Sequence, residues 1–147
     1  MLFRSGRHDK KNKGLAAKVA QDLSAVFNSA GFCMFAGMAL QPSHVGMLLG
    51  IVAGQMHNAQ TILQAGERII NLQRAFACRE GVSRKDDKLP KRLLTPLPDG
   101  GSAGKAADLE YQLNEYYNLR GWDENGLPTS GRLQMLGLAD VAKDIQA

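Results

Sequence analysis

The chain has 147 residues, 44% of them hydrophobic, and a formal net charge of +4, which is enough for one domain with a real core. No segment reaches the roughly 20-residue apolar run of a membrane helix, and two cysteines in a chain this size do not suggest a disulfide scaffold. The basic excess sits in "RHDKKNK" and "SRKDDKLPKR", interleaved with acids and without alternating aromatics, so the expected face is solvated and no nucleic-acid partner is expected. The opening "MLFRSGRHDKKNKG" has no apolar stretch with a small-residue cleavage site, and a cytoplasmic location is expected.

Along the chain, Leu15, Val19, Leu23, Val26 and Phe27 recur at three- and four-residue spacing, predicting an amphipathic helix with Lys18, Gln21 and Asp22 on its wet side. Asn28, Ser29 and Gly31 interrupt it, because Asn and Gly accept the left-handed backbone that ends helices. "FCMFAGMAL" then reads as apolar on every face and is expected to be buried.

A second helix is expected to start at Pro42 and Ser43, with Ser43 as its N-cap, to carry Val45, Leu48, Leu49 and Val52, and to close at Gly54. A third follows the cap Asn58 and presents Ile62, Leu63, Ile69, Ile70, Leu72 and Phe76, with Glu67, Arg68, Gln73 and Arg74 on its polar side. Residues 81–104 hold three prolines, several glycines and mixed charge. They predict an extended, loop-like segment of a length found where a loop is functional or lies against another surface. Asp108 caps a fourth helix with Leu109, Leu113, Tyr116 and Tyr117 on one stripe and Gly121 as its stop. "GWDENGLPT" is a turn, Thr129 caps a helix with Leu133, Met135 and Leu136 that ends at Gly137, and "LADVAKDI" is a last short helix. With no alternating β-branched runs, the expected fold is all-α, a multihelical orthogonal bundle with one long irregular loop.

Little in the sequence by itself carries chemistry. His8, His44 and His57 lack metal-ligand spacing. Asp86 and Asp87, flanked by Lys85 and Lys88, read as an exposed charge cluster rather than an acid–base pair. "PDGG" and "GSAG" neither follow a strand nor carry the lysine of a phosphate loop. Each cysteine on its own is open to three roles: buried filler, metal ligand or redox thiol.

Several segments in order resemble a known family. "AGERIINLQRAF" (residues 65–76), "REGVSRKDDKLPKR" (79–92), "PLPDG", "EYYNLRGWDENGLPT" (115–129) and the closing "LGLADVAKDI" look like the C-terminal region of tungsten-containing aldehyde ferredoxin oxidoreductases. The resemblance runs from about Ala20 to the end. It implies that the chain, residues 1–147, is part of the C-terminal helical domain of a larger multidomain enzyme, with 81–104 an extended loop within it.

In that family a segment of the form Asp-x-x-Gly-Leu-Cys supplies the fourth ligand of a 4Fe-4S cluster and touches the pterin that holds tungsten or molybdenum. The matching residues here are Asn28, Gly31, Phe32 and Cys33, followed by Phe35. The resemblance thus implies that Cys33 ligates the cluster, that Asn28, Gly31 and Phe32 contact the bis-pterin cofactor, and that the segment is shielded. Asn28 stands where the family has aspartate and Phe32 where it has leucine, while Cys78 has no matching metal role and reads as filler. No catalytic residue is assigned to this chain, because the family's three upstream cluster cysteines and metal-proximal histidine and glutamate have no counterparts in it. The implied partners are the N-terminal part of the enzyme, ferredoxin and an aldehyde, with room for a homodimer in the complete enzyme; the chain alone is not expected to be active. The alternatives are a stand-alone basic helical binding module and a cofactor-free structural subunit of the same fold.

Overall fold

A computed structural model describes Gly6 and residues 8–145. Its helices are α1 (Lys13–Ser29), α2 (Pro42–Ala53), α3 (Ala59–Arg79), α4 (Lys91–Leu94), α5 (Leu109–Arg120), α6 (Ser130–Met135) and α7 (Ala139–Asp144). Short 3-10 turns fall at Met34–Met38 and Arg84–Asp86. Among the described residues the only β pairing is two isolated bridges, Leu97 with Ala103 and Trp122 with Pro128. The fold is all-α, as the periodicity predicts.

Most helix ends follow the expected chemistry. The Asn58 side chain accepts from the Thr61 N–H at 2.9 Å, that of Asp108 from Tyr111 at 3.2 Å, and that of Thr129 from Arg132 at 3.4 Å, each satisfying a donor that a helix start leaves open. Gly54 and Gly121 close α2 and α5 in the left-handed conformation. The cap of α2 is Gln41, not Ser43. Pro42 occupies the first helical position, the place where its missing N–H costs nothing, which makes the residue before it the cap. The Nδ1 of His44 accepts from the Gln41 N–H at 3.2 Å.

α3 is the central strut, lying against α1 and α2. One core cluster joins Val26 and Phe27 of α1, Val45 of α2 and Ile62 of α3, with Phe32, Ala36 and Leu40 packed on its edge. A second joins Leu133, Leu138 and Ala142 of the C-terminal helices. Between them, Trp122 donates from its indole to Asn71 Oδ1 at 2.8 Å, and the buried Asn71 amide donates to the Glu67 carbonyl at 2.9 Å.

Three polar residues expected on wet faces are buried or nearly so. Asp22 is 2% exposed and Glu67 is buried, while the Arg74 side chain is largely covered. Each is enclosed because an opposite charge from elsewhere in the chain reaches it, which is the condition under which charges leave water. Asp22 pairs with Arg120 of α5 and with Lys18, 2.9 Å away. Glu67 pairs with Lys18 at 3.2 Å and with Arg132 of α6.

The expectation of burial fails for "FCMFAGMAL". Cys33 is exposed and Phe35 is 80% exposed. Among the described side chains of this segment, Phe32, Ala36 and Leu40 pack on the core, since the turn meets the fold on one side. The 81–104 segment is irregular for most of its length, but α4 and the Arg84–Asp86 turn interrupt it. It is also pinned to its own fold, through Arg84 N–H to the Asn125 carbonyl at 2.9 Å and Ala107 N–H to Leu93 at 3.3 Å.

Gly66 marks the closest approach of α1 and α3, because a Cβ there would lie 2.0 Å from the Asp22 carbonyl oxygen. Gly66→Ala is therefore expected to force the helices apart and cost about 3 kcal/mol or more. Gly131→Ala, where a Cβ meets nothing within 4 Å, should leave stability unchanged or slightly raised. Chemical denaturation of the two variants checks the contrast.

Candidate functional site

The candidate residues Asn28, Gly31, Phe32 and Cys33 all lie on the turn that ends α1, so the fold brings them together by local structure alone. The Phe32 N–H donates to the Phe27 carbonyl at 2.9 Å and the Gly31 N–H to Asn28 at 3.3 Å. These are the two hydrogen bonds of a Schellman helix end, whose turning residue is left-handed. Gly31 takes that role at φ +72°. The apolar contact that accompanies such an end is present too, with the Phe27 and Phe32 rings 5.7 Å apart.

Past this bend Cys33 is extended, at φ −64° and ψ 132°, and its carbonyl accepts from Ala36 N–H at 2.9 Å. A Cβ on Gly31 would meet nothing within 4 Å, so the outer side of the turn is open. Asn28 and Cys33 are exposed, and Phe32 is half-buried. The shielding expected for the cysteine is not provided by the described residues. An open apolar groove of about 530 Å³ adjoins the turn, lined among others by Val26, Ala30, Leu49, Ile62 and Ile69.

As a donor set, the turn fits one ligand of a cluster and no more. Among the described residues no group of three or more His, Cys, Asp or Glu side chains converges as a metal site. Cys78 lies elsewhere, half-buried on α3 with its Sγ 3.7 Å from the Gly126 carbonyl. Burial pushes its thiol pKa up, against the opposing pull of Arg74, as suits an inert packing thiol.

A second polar cluster anchors the long loop. Arg74 holds Asp87 in a fork, Nη1 to Oδ1 at 3.0 Å and Nη2 to Oδ2 at 2.7 Å, and its Nε donates to the Gly126 carbonyl at 2.7 Å. The Tyr117 hydroxyl donates to the same carboxylate. The Arg74 guanidinium also lies 4.8 Å from the Trp122 ring centre, within cation–π range. Burial alone would raise the Asp87 pKa, but hydrogen bonds from Arg74 and Tyr117 and the nearby charges hold it below the usual carboxylate range. Burial and Asp87 push the Tyr117 phenol upward. Asp87 is thus a paired anchor, not the exposed charge its lysine neighbours suggest. Its polar partners are committed to one another, so the cleft of about 560 Å³ beside it has no poised acid or base among them.

Sequence reasoning missed the buried charges, although their signal was there. Asp22 falls three residues after Val19 and four before Val26, on the apolar stripe itself. Glu67 and Arg120 stand likewise at helical spacing from Leu63 and Ile70, and from Tyr116 and Tyr117.

The fold is all-α, and its candidate residues share one glycine bend at the end of α1. Residues 3–138 match the family described as aldehyde ferredoxin oxidoreductase, domains 2 and 3, and the chain belongs to that family. It is 38% identical over 122 residues to the tungsten-containing aldehyde ferredoxin oxidoreductase of Pyrococcus furiosus, covering 82% of this chain and 20% of that protein. The counterpart from Thermococcus kodakarensis is 37% identical over the same length. The aliphatic sulfonate oxidoreductase, WOR-like subunit, of Pyrococcus furiosus is 35% identical over 95 residues, 59% of this chain and 15% of its own. The chain thus spans about a fifth of the length of the aldehyde oxidoreductases it matches. Among solved structures, the active site complex BamBC of benzoyl coenzyme A reductase with 1,5-dienoyl-CoA has the same fold, at TM-score 0.74 and 21% identity, covering 97% of this chain and 22% of that one. No described helix is long and apolar enough to cross a membrane.

The depressed Asp87 carboxyl makes stability pH-dependent. Its stabilising ionised form is fully present above the unfolded carboxylate pKa of about 4 and is lost as pH falls through the lower folded value. Asp87→Asn is expected to lose about 1–3 kcal/mol at pH 7. The gap to the parent protein should close as the pH is taken below about 4, in denaturation curves recorded across that range.

Proposed function

We propose that this chain is the cofactor-covering, 4Fe-4S-ligating part of an aldehyde ferredoxin oxidoreductase. The complete enzyme oxidises an aldehyde with water to a carboxylic acid and passes the two electrons to ferredoxin. The observation that carries this is the α1 end, where a Schellman bend at Gly31 turns an exposed Cys33 outward in a chain of this family. Cys33 supplies one thiolate, and three more come from the N-terminal part of the enzyme. The cluster, when bound, carries single electrons at a potential tuned by burial and by hydrogen bonds to its sulfurs.

Around it, this chain's residues shape the contact. Gly31 leaves room for a tungsten or molybdenum bis-pterin to approach the backbone, since no side chain stands there. Phe32, seated on Phe27, holds the bend rigid. Asn28 offers the pterin one amide oxygen where a carboxylate would offer two oxygens and a charge. The exposed apolar residues Phe35, Met47, Ile51, Val52 and Met56 are the surface that the rest of the enzyme covers. Aldehyde and ferredoxin meet the assembled protein, not this portion alone.

The basic excess gives no specific support to nucleic-acid binding. Lys10 pairs with Asp108, Arg84 with Glu110, and Arg74, Arg120 and Arg132 with carboxylates of their own chain.

In the complete enzyme carrying this portion, Cys33→Ala should lose cluster iron and its visible absorbance, whereas Cys78→Ala should keep both. Equal loss from the two variants, or from neither, would refute the ligand assignment. Asn28→Asp should tighten cofactor retention by about 1.5–3 kcal/mol through a charge-assisted hydrogen bond; lower pterin occupancy would mean that the site is built around the amide. The isolated 147-residue chain should bind no stoichiometric iron, tungsten or pterin, oxidise no aldehyde and tend to aggregate, as metal analysis, an aldehyde assay and light scattering would report.

A further inference from the structure

We infer that the buried Arg120–Asp22 pair sets the position of the Cys33 turn, so that Arg120 and Asp22 are positioning residues for the cluster contact; this rests on Cys33 being a cluster ligand. One guanidinium holds α1 at several points. Arg120 is fully buried and bonds the Asp22 carboxylate, the Gln21 side chain at 3.0 Å and the Lys18 carbonyl at 3.3 Å. Its Nε donates to the Tyr116 hydroxyl at 2.9 Å. A planar fork that grips three residues of one helix turn fixes both the rotation and the axial setting of that helix.

On the other side, the Asp22 backbone rests against Gly66 of α3, where no side chain fits between them. From Asp22 to Asn28 is a continuous helical stretch of about 9 Å. Its end is packed by Val26 and Phe27 against Val45 and Ile62. Phe27 then holds Phe32 through its carbonyl and its ring, and Cys33 is the next residue. Every link from Arg120 to the thiol is a hydrogen bond, a helical turn or a packed ring, so a shift at Asp22 is carried to Cys33.

Two variants probe the link. Arg120→Lys keeps the charge and removes the fork, and Asp22→Asn keeps the shape and removes the charge; should Asp22→Asn fail to fold, Arg120→Lys decides. Leu133→Ala, in the separate C-terminal core, serves as a destabilised control. In the complete enzyme, hydrogen exchange across residues 28–36 should accelerate in both probe variants, while Leu133→Ala accelerates exchange in residues 130–145 only. In the complete enzyme, the probe variants that retain iron should show shifted EPR g-values and a shifted cluster midpoint potential, and the Leu133→Ala enzyme should show neither. Unchanged exchange across 28–36, unchanged g-values, or an equal spectral shift from Leu133→Ala overturns the inference. If Cys33→Ala keeps its cluster, the ligand assignment falls by that separate measurement, and the exchange data still decide whether the pair holds the turn.

Discussion

Asp22 and Arg120 meet where three helices come together with almost no access to water. A lone carboxylate or guanidinium at that depth would be too costly to keep ionised, so neither can be buried without the other. Their contact extends into an alternating row of charges, Arg120, Asp22, Lys18, Glu67 and Arg132, which ties α5 to α1, α1 to α3 and α3 to α6. A buried pair adds little net stability compared with apolar packing, but losing one member is costly, at about 3–5 kcal/mol. Its value here is geometric, because an apolar stripe can slide along its partner and a paired fork cannot.

The same constraint explains the small residue at the crossing. For Lys18 of α1 to reach Glu67 of α3, the two helices must lie close, and Gly66 permits that approach. Asn71, one helical turn further along α3, then links the crossing to the Trp122 indole. Trp122 stacks at its edge on Tyr116, with ring centres 5.4 Å apart, and lies under Arg74. The aromatic plate and the charge row therefore touch, through Arg120 Nε donating to the Tyr116 hydroxyl. Arg74 in turn holds Asp87, so the long loop is fixed by the same interior that fixes α1.

What the sequence made legible was the local chemistry. Caps at Asn58, Asp108 and Thr129, the stops at Gly54 and Gly121, and the bend at Gly31 depend on a few neighbouring residues, and they stand where their residue types place them. The buried charges were hidden because helical periodicity assigns a polar residue to water unless its partner is known, and the partner of Asp22 lies 98 positions away. The cap of α2 was misplaced by two residues because serine outweighed the stricter demand of a proline at the first helical position. For "FCMFAGMAL" the error was of another kind. Its apolar character does call for cover, but composition cannot say whether the cover comes from the same stretch of chain.

That distinction ties the exposed surface to the exposed thiol. Phe35, Ile51, Val52 and Met56 are each more than 70% exposed, and Met47, Ile51 and Val52 share a face of α2 by their spacing. Monomeric proteins seldom leave so many large apolar residues in water, and such faces mark interaction sites. The residues nearest in sequence to this surface are the ones that form the Cys33 turn. On the proposed reading, a surface that wants apolar cover and a thiol that wants three companions would be met by the same event, the docking of the rest of the enzyme. Docking would also bury the turn, and a cluster thiolate removed from water has its potential set by the hydrogen bonds and charges left around it. On this account the paired charges of the interior fix the helices so that the exterior can be completed by another part of the enzyme without rearrangement.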